Sequence, residues 1–304
     1  MRRALVYAVL LMVCGCGRKN ETGLGLDPSF RKLVPPDTTL LAGIQVDTLK
    51  TAPLYVKYGG RFNIARLNEF SRRTGLDPLR DIASVLFVSN GSQPLVMVRG
   101  RFSEDQVAPR LAGDGAQRSI YKKHLLIGSE RDAVLFANPN LAVAGPESSL
   151  RAFIDERESS NMGLPLNLQK RLNQLPKRDQ IYIVSSTGIP LSAFPPRSDI
   201  QSSLSNIIGF INGLTVGLGV DDNLHLSAEI DCISEAGATR VNDALRGAIG
   251  LARLTTKNNQ LDLLRLYDSV HVDRELSTVH ITADIEGGLA VKLIDSLPQL
   301  RSGQ

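Results

Sequence analysis

The sequence predicts an α+β protein, a tandem duplication of a ferredoxin-like (split βαβ) unit built on antiparallel sheets. Short runs of alternating apolar residues, typical of half-buried strands, are interleaved with helical periods. Turn signals such as Asn90-Gly91 join apolar runs directly, which suits antiparallel pairing. The same order of elements then occurs twice at a spacing of about 130 to 140 residues, too long for a solenoid repeat and suited to a duplicated domain.

The first unit is expected over residues 37–158. Leu40, Ala42, Ile44 and Val46 alternate with their neighbours as a strand. Helical spacing follows from Arg61 to Arg73 and stops at Gly75, and Asp77-Pro78 marks the cap and first turn of another helix. Runs Ile82–Val88 and Leu95–Val98 flank Asn90-Gly91 as a hairpin, and Ser103-Glu104-Asp105 opens a helix carrying Val107 and Leu111. Short strands at His124–Ile127, Ala133–Phe136 and Leu141–Ala144 precede a closing helix at Glu147–Asp155. A linker over residues 159–178 includes a short helix with Leu168, Leu172 and Leu175 on one side.

The second unit, residues 179–304, repeats the pattern. It has a strand at Ile181–Val184, an amphipathic helix at Ser198–Ile211, and a hairpin of Leu214–Val220 with Leu224–Ile230. Helices follow at Ser234–Leu254 and Leu261–Tyr267, then strands Val270–Val272 and Val279–Ile285 and a last helix at Leu289–Leu297. The small residues of the helix beginning at Ser234, among them Ala244, Gly247, Ala248 and Gly250, predict close packing on a helix or sheet.

The N-terminus carries the clearest functional signal. Arg2 and Arg3 precede a ten-residue apolar run, Ala4–Val13, half the length needed to cross a bilayer as a helix. A basic start, a short apolar centre and small residues describe a signal peptide over residues 1–15. The ending Val13-Cys14-Gly15-Cys16 looks like the lipobox of bacterial lipoproteins. Cys16 follows the small Gly15 and fits as the acylated residue better than Cys14, which follows Val13. Palmitate-type acyl chains there would replace a helical anchor. A secreted protein cut near Gly15 or Gly17 is the alternative. The glycine-bearing, polar stretch after Cys16 predicts a tether over residues 16–36. The expected location is the cell envelope, facing the periplasm or exterior; Gly17 in place of an aspartate favours the outer membrane by analogy.

Composition narrows the partners. Export removes Arg2 and Arg3, so the net charge of +4 falls to +2, too little to imply nucleic acid. With no Trp and 5% aromatics, a stacking platform for single strands is also disfavoured. No His-Glu-x-x-His, Cys-x-x-Cys, Gly-x-Ser-x-Gly or Walker loop occurs, so no cofactor and no catalytic residue is assigned. Period two places His271, Asp273, His280 and Asp284 of the last hairpin on one sheet face. His271, Asp273 and His280 are thus candidate metal ligands, although valines and isoleucines between them suit a face that simply meets water. His225 shares such a face with Ser227, Glu229 and Asp231, and Cys232 suits a buried position.

Val34-Pro35-Pro36-Asp37-Thr38-Thr39-Leu40-Leu41-Ala42-Gly43, with Thr74-Gly75-Leu76-Asp77-Pro78 and Ala142-Val143-Ala144-Gly145, resembles a group of uncharacterised predicted lipoproteins of soil bacteria. The resemblance implies a duplicated extracytoplasmic domain and carries no activity with it. The expected function is a non-enzymatic binding module anchored to the membrane, meeting an envelope protein or cell-wall component. The rival readings are a metal-assisted enzyme using His271, Asp273 and His280, and a small-ligand binder in the cleft between domains.

Overall fold

The computed structural model describes residues 22–61, 65–113, 115–188, 207–257 and 259–296. The expected signal peptide, Cys16 and most of the Ser198–Ile211 helix lie outside them. In chain order, the first part comprises α1 (Pro28–Arg31), β1 (Leu40–Ile44), α2 (Val46–Leu49), α3 (Pro53–Tyr58), α4 (Ala65–Thr74) and α5 (Pro78–Asp81). Strands β2 (Ile82–Ser89) and β3 (Leu95–Gly100) lead to α6 (Glu104–Gly113). Next come β4 (Gln117–Tyr121), β5 (His124–Gly128), β6 (Ala133–Asn138), β7 (Leu141–Gly145), α7 (Glu147–Glu158) and α8 (Leu166–Gln174). The rest holds β8 (Asp179–Ser185), β9 (Ile211–Val220), β10 (Leu224–Cys232), α9 (Glu235–Thr255) and α10 (Leu261–Ser269). It closes with β11 (Val270–Glu275), β12 (Thr278–Ile285) and α11 (Gly287–Ser296).

All twelve described strands form one antiparallel sheet in the order β11-β12-β10-β9-β8-β1-β2-β3-β7-β6-β5-β4. The mixed α/β composition and the antiparallel sheet agree with the sequence. The strand order within each half does not. In a split βαβ unit another strand lies between the first two, whereas here β1 pairs directly with β2 and β8 directly with β9. The halves nevertheless correspond. β1-β2-β3-β7-β6 in the first is matched by β8-β9-β10-β12-β11 in the second, with β4 and β5 added at one edge.

The halves meet edge to edge. β1 and β8 pair from Leu40↔Ser185 to Ile44↔Ile181, so the seam is a ladder. Gly43 is required there, because any Cβ would overlap the Tyr182 ring lying across it.

The first half of the sheet is buried on both faces. Leu41, Leu86, Met97, Val143 and Val184 face a layer made by Leu24, Leu26, Phe30, Val34, α7 and α8. Ile82, Ala142 and Ile127 face α6 through Val107, Ala108 and Leu111, with Phe70 of α4 packed alongside. Residues 22–36 are therefore body and not tether, which corrects the expected boundary. Leu24 is 2% exposed, Phe30 1% and Val34 0%. The Gly23 amide donates to the Leu175 carbonyl, and Asp27 caps α1 by accepting from the Ser29 amide. Each fully buried Leu or Phe contributes about 1.5–3 kcal/mol, enough to fix so short a segment. The expected linker helix is α8, and Leu168, Leu172 and Leu175 all enter the same core.

In the second half, α9 packs on one face through Ala238 and Val241, and α3 and α11 cover the far end of that face. Close packing of the small residues in α9 is confined to its start. Gly237 meets Phe210, whereas added Cβ atoms at Gly247 and Gly250 would meet nothing within 4 Å. The helix turns Val241, Leu245 and Ile249 inward, which leaves the small-residue stripe outside. No helix among the described residues is long and apolar enough to cross a membrane.

Candidate acidic sheet face

Register puts the polar residues of β9, β10, β12 and β11 on the face opposite α9. Across the ladders, Glu229 pairs with His280 and His280 with Asp273, Ser227 with Thr282 and Thr282 with His271, and His225 with Asp284. Leu224, Ala228, Ile230, Val279, Ala283 and Val272 point the other way into the core, as period two requires. On the first half and β8 this face is covered by α1, α7 and α8. Among the described residues nothing continues that layer over β10, β12 and β11. Asp273, Glu275, Thr282 and Asp284 are exposed there, and Glu229, Asp231, Thr278 and His280 are half-buried.

The face carries Asp221, Glu229, Asp231, Asp273, Glu275 and Asp284 against three histidines and three arginines at its margins, Arg171, Arg178 beside Gly219 and Arg246 at Asp273. His225 sits between two carboxylates, with Nδ1 2.6 Å from Asp284 Oδ1 and Nε2 3.0 Å from Asp221 Oδ1. Partial burial opposes ionisation of Asp221, but the Asn223 amide and His225 outweigh it and hold this carboxyl below its ordinary range. Arg171 reaches from α8 to Asp231 at 2.6 Å, and Thr278 donates to the other Asp231 oxygen at 3.1 Å. A Cβ at Gly213 would overlap that guanidinium, so the glycine opens its path.

Asp179 lies in the same row, through Gly219 to His225. It is 2% exposed, and its Oδ2 is buried without a hydrogen-bond partner. Its carboxyl lies flat over Gly217, where any side chain would collide with it. Burial pushes its pKa up to about 6, with Arg178 and His225 pulling weakly the other way. Unpaired buried carboxyls of this kind occur at functional sites more often than elsewhere.

The metal candidates share the face but are not assembled. His271 Nδ1 lies 3.1 Å from the Ser269 carbonyl, Asp273 is engaged by Arg246 at 3.1 Å, and His280 leans toward Glu229 at 3.7 Å. Among the described residues, no three His, Cys, Asp or Glu side chains are placed to hold a metal ion. Arg246 has another task at this edge, where Nε and Nη2 both donate to the Val272 carbonyl and so block the open edge of β11. Cys232 is buried, and burial together with Asp231 raises its thiol pKa, which leaves it a packing residue. Sequence reasoning found the face but missed Asp179 and Arg171. A charged residue opening a strand opposite paired glycines was the available signal for Asp179.

No protein-family model matches the chain, and no curated protein matches it in sequence. Solved structures of TP0453 are similar in fold. Crystal form III aligns over 90% of this chain and 99% of that one at 12% identity, with a TM-score of 0.50. Forms I and IV align over the same 90%, each covering 98% of TP0453, at 13% and 11% identity with TM-scores of 0.46 and 0.49. The likeness is one of overall fold.

Proposed function

We propose that this chain is a non-enzymatic binding module of the cell envelope, held to the membrane by acylated Cys16 and presenting the acidic sheet face to a basic segment of an envelope protein. The acidic face across β10, β12 and β11, which no described residue covers, carries this reading. A broad flat surface rich in carboxylates suits a macromolecule of opposite charge, whose approach it steers. A metal-assisted reaction has less support, because His271, Asp273 and His280 are each engaged separately. The outer membrane is the proposed destination. The corresponding strand orders of the two halves support duplication of a five-stranded unit.

The packing of residues 22–36 shortens the proposed tether to 16–21. Six residues reach at most about 20 Å, so the body would ride close to the bilayer. Capture from native membranes with wild type and Thr282→Arg tests the face. Thr282 is exposed at its centre, and an added cation there should reduce capture of the partner about tenfold without changing thermal stability. Capture by wild type should also fall as salt rises. Equal capture by both proteins, insensitive to salt, contradicts the proposed surface.

A further inference from the structure

Away from the acidic face, a cavity of about 210 Å³ lies between α7, the tip of the β2–β3 hairpin and the residues that lead into β1. Its apolar wall is Val88, Leu95 and Phe153, all members of the core cluster on the α7 side of the sheet. Its charged and hydroxyl-bearing residues are Asp37, Thr38, Ser149 and Glu156, and no lysine, arginine or histidine among the described residues borders it. The lining therefore carries two negative charges and no positive one.

The two carboxylates are held differently. Asn90 Oδ1 accepts from the Ser92 and Gln93 amides at 3.0 and 2.8 Å, which fixes that side chain in the turn. Its Nδ2 donates to Asp37 Oδ2 at 2.5 Å and leaves Asp37 Oδ1 without a partner among the described residues. Glu156, half-buried on α7, has no side-chain hydrogen bond or ion pair among them. Thr38 and Ser149 are each 3% exposed, yet neither hydroxyl has a hydrogen-bond partner among the described residues. Buried hydroxyls are ordinarily paired, so two left open on one cavity offer acceptor positions to a donor from outside the chain. Ser149 and Glu156 stand seven residues apart on α7, about 10 Å along its axis, so the polar wall is long. Glu156 also lies in the last turn of α7, where the helix dipole favours a cation.

We propose that this cavity binds a short linear alkane diammonium ion, one ammonium received by Glu156 and the other by Asp37. The Thr38 and Ser149 hydroxyls accept further N–H groups, and the methylenes pack on Val88, Leu95 and Phe153. A dication supplies the charge that the lining lacks, and each carboxylate adds to its attraction. The site does not depend on the acidic face or on the anchor. The probe is 1,5-diaminopentane dihydrochloride, whose seven non-hydrogen atoms suit the volume, since a cavity of about 150 Å³ admits six. 1,5-Pentanediol is its neutral isostere and n-pentylammonium chloride its singly charged counterpart. Titration calorimetry on the purified full chain should show saturable diamine binding with a Kd of about 1 mM or tighter, and none of the diol. The monoammonium ion should bind about tenfold more weakly. Glu156→Gln keeps the shape, removes the charge and should weaken diamine binding about tenfold. Ala152→Leu, from another lining residue, should fill the space and abolish binding. Thr282→Arg, on the acidic face, should bind the diamine as wild type does. Absence of saturable diamine binding up to about 20 mM overturns the proposal, as does equal affinity for the diol or the monoammonium ion. Equal affinity of wild type and Glu156→Gln overturns it as well, even where Ala152→Leu fails to fold. Binding lost in Thr282→Arg would place the diamine on the acidic face and likewise overturn it.

Discussion

Replacing Phe30 by alanine is expected to lower folding stability by about 3–5 kcal/mol. The side chain is 1% exposed and packs in one cluster with Leu41, Met97, Phe153 and Leu172, which come from β1, β3 and both covering helices. Truncation leaves a cavity that cannot collapse easily, because every wall belongs to a different element. α1 has only one turn and cannot support itself, so its contribution to stability comes almost wholly from this anchor. Arg31, next in the chain and exposed, is the control: Arg31→Ala should change stability by less than about 0.5 kcal/mol. Urea unfolding of the three proteins measures both values. An unchanged midpoint for Phe30→Ala would mean that residues 22–36 behave as a tether.

Asp179→Asn is expected to stabilise the protein at neutral pH by about 2–3 kcal/mol, the cost of ionising a carboxyl whose pKa the fold pushes up to about 6 from 3.8. The sign follows from which state holds the proton. Below 3.8 both folded and unfolded chains are protonated, and the asparagine changes little. Between 3.8 and about 6 the unfolded chain ionises first, so wild type loses stability as pH rises. Above about 6 the full penalty is present in wild type and absent in the variant. Unfolding followed from pH 4 to pH 8 should therefore give curves that coincide at the acid end and diverge toward neutrality. Parallel curves would show that Asp179 has a partner when ionised. The same asparagine should leave the register between β8 and β9 intact, because Gly217 still accommodates a side chain of that shape.

Much of the sheet was legible because its strands alternate or hold continuous apolar runs, and because Asn90-Gly91 and Asp221-Asp222-Asn223 mark tight connections. β4 was not. Gln117, Arg118 and Ile120 are all exposed on an edge strand, so burial imposes no period on them. The segment from Leu24 to Val34 was misread for a related reason. Its apolar residues are separated by glycines, Asp27 and Pro28, which look like a tether until α7 and α8, over a hundred residues later, supply the surface they fill. The strand order was out of reach, since alternation fixes which face a residue occupies but not which strand lies beside it.

The candidate site shows the same division. Period two correctly gathered His271, Asp273, His280 and Asp284 on one face. Whether three of them converge depends on ladders and on Arg246, which arrives from α9 to take Asp273. Asp179 and Tyr182 owe their settings to glycines on neighbouring strands, Gly217 and Gly43, that no local pattern connects to them.

The proposed function rests first on attachment at Cys16. Growth of cells with labelled palmitate, followed by isolation of wild type and Cys16→Ser, tests it most directly. Wild type should carry the label and sediment with membranes, and Cys16→Ser should carry none and be released. Label retained on Cys16→Ser, or wild type free of label, would contradict the anchor.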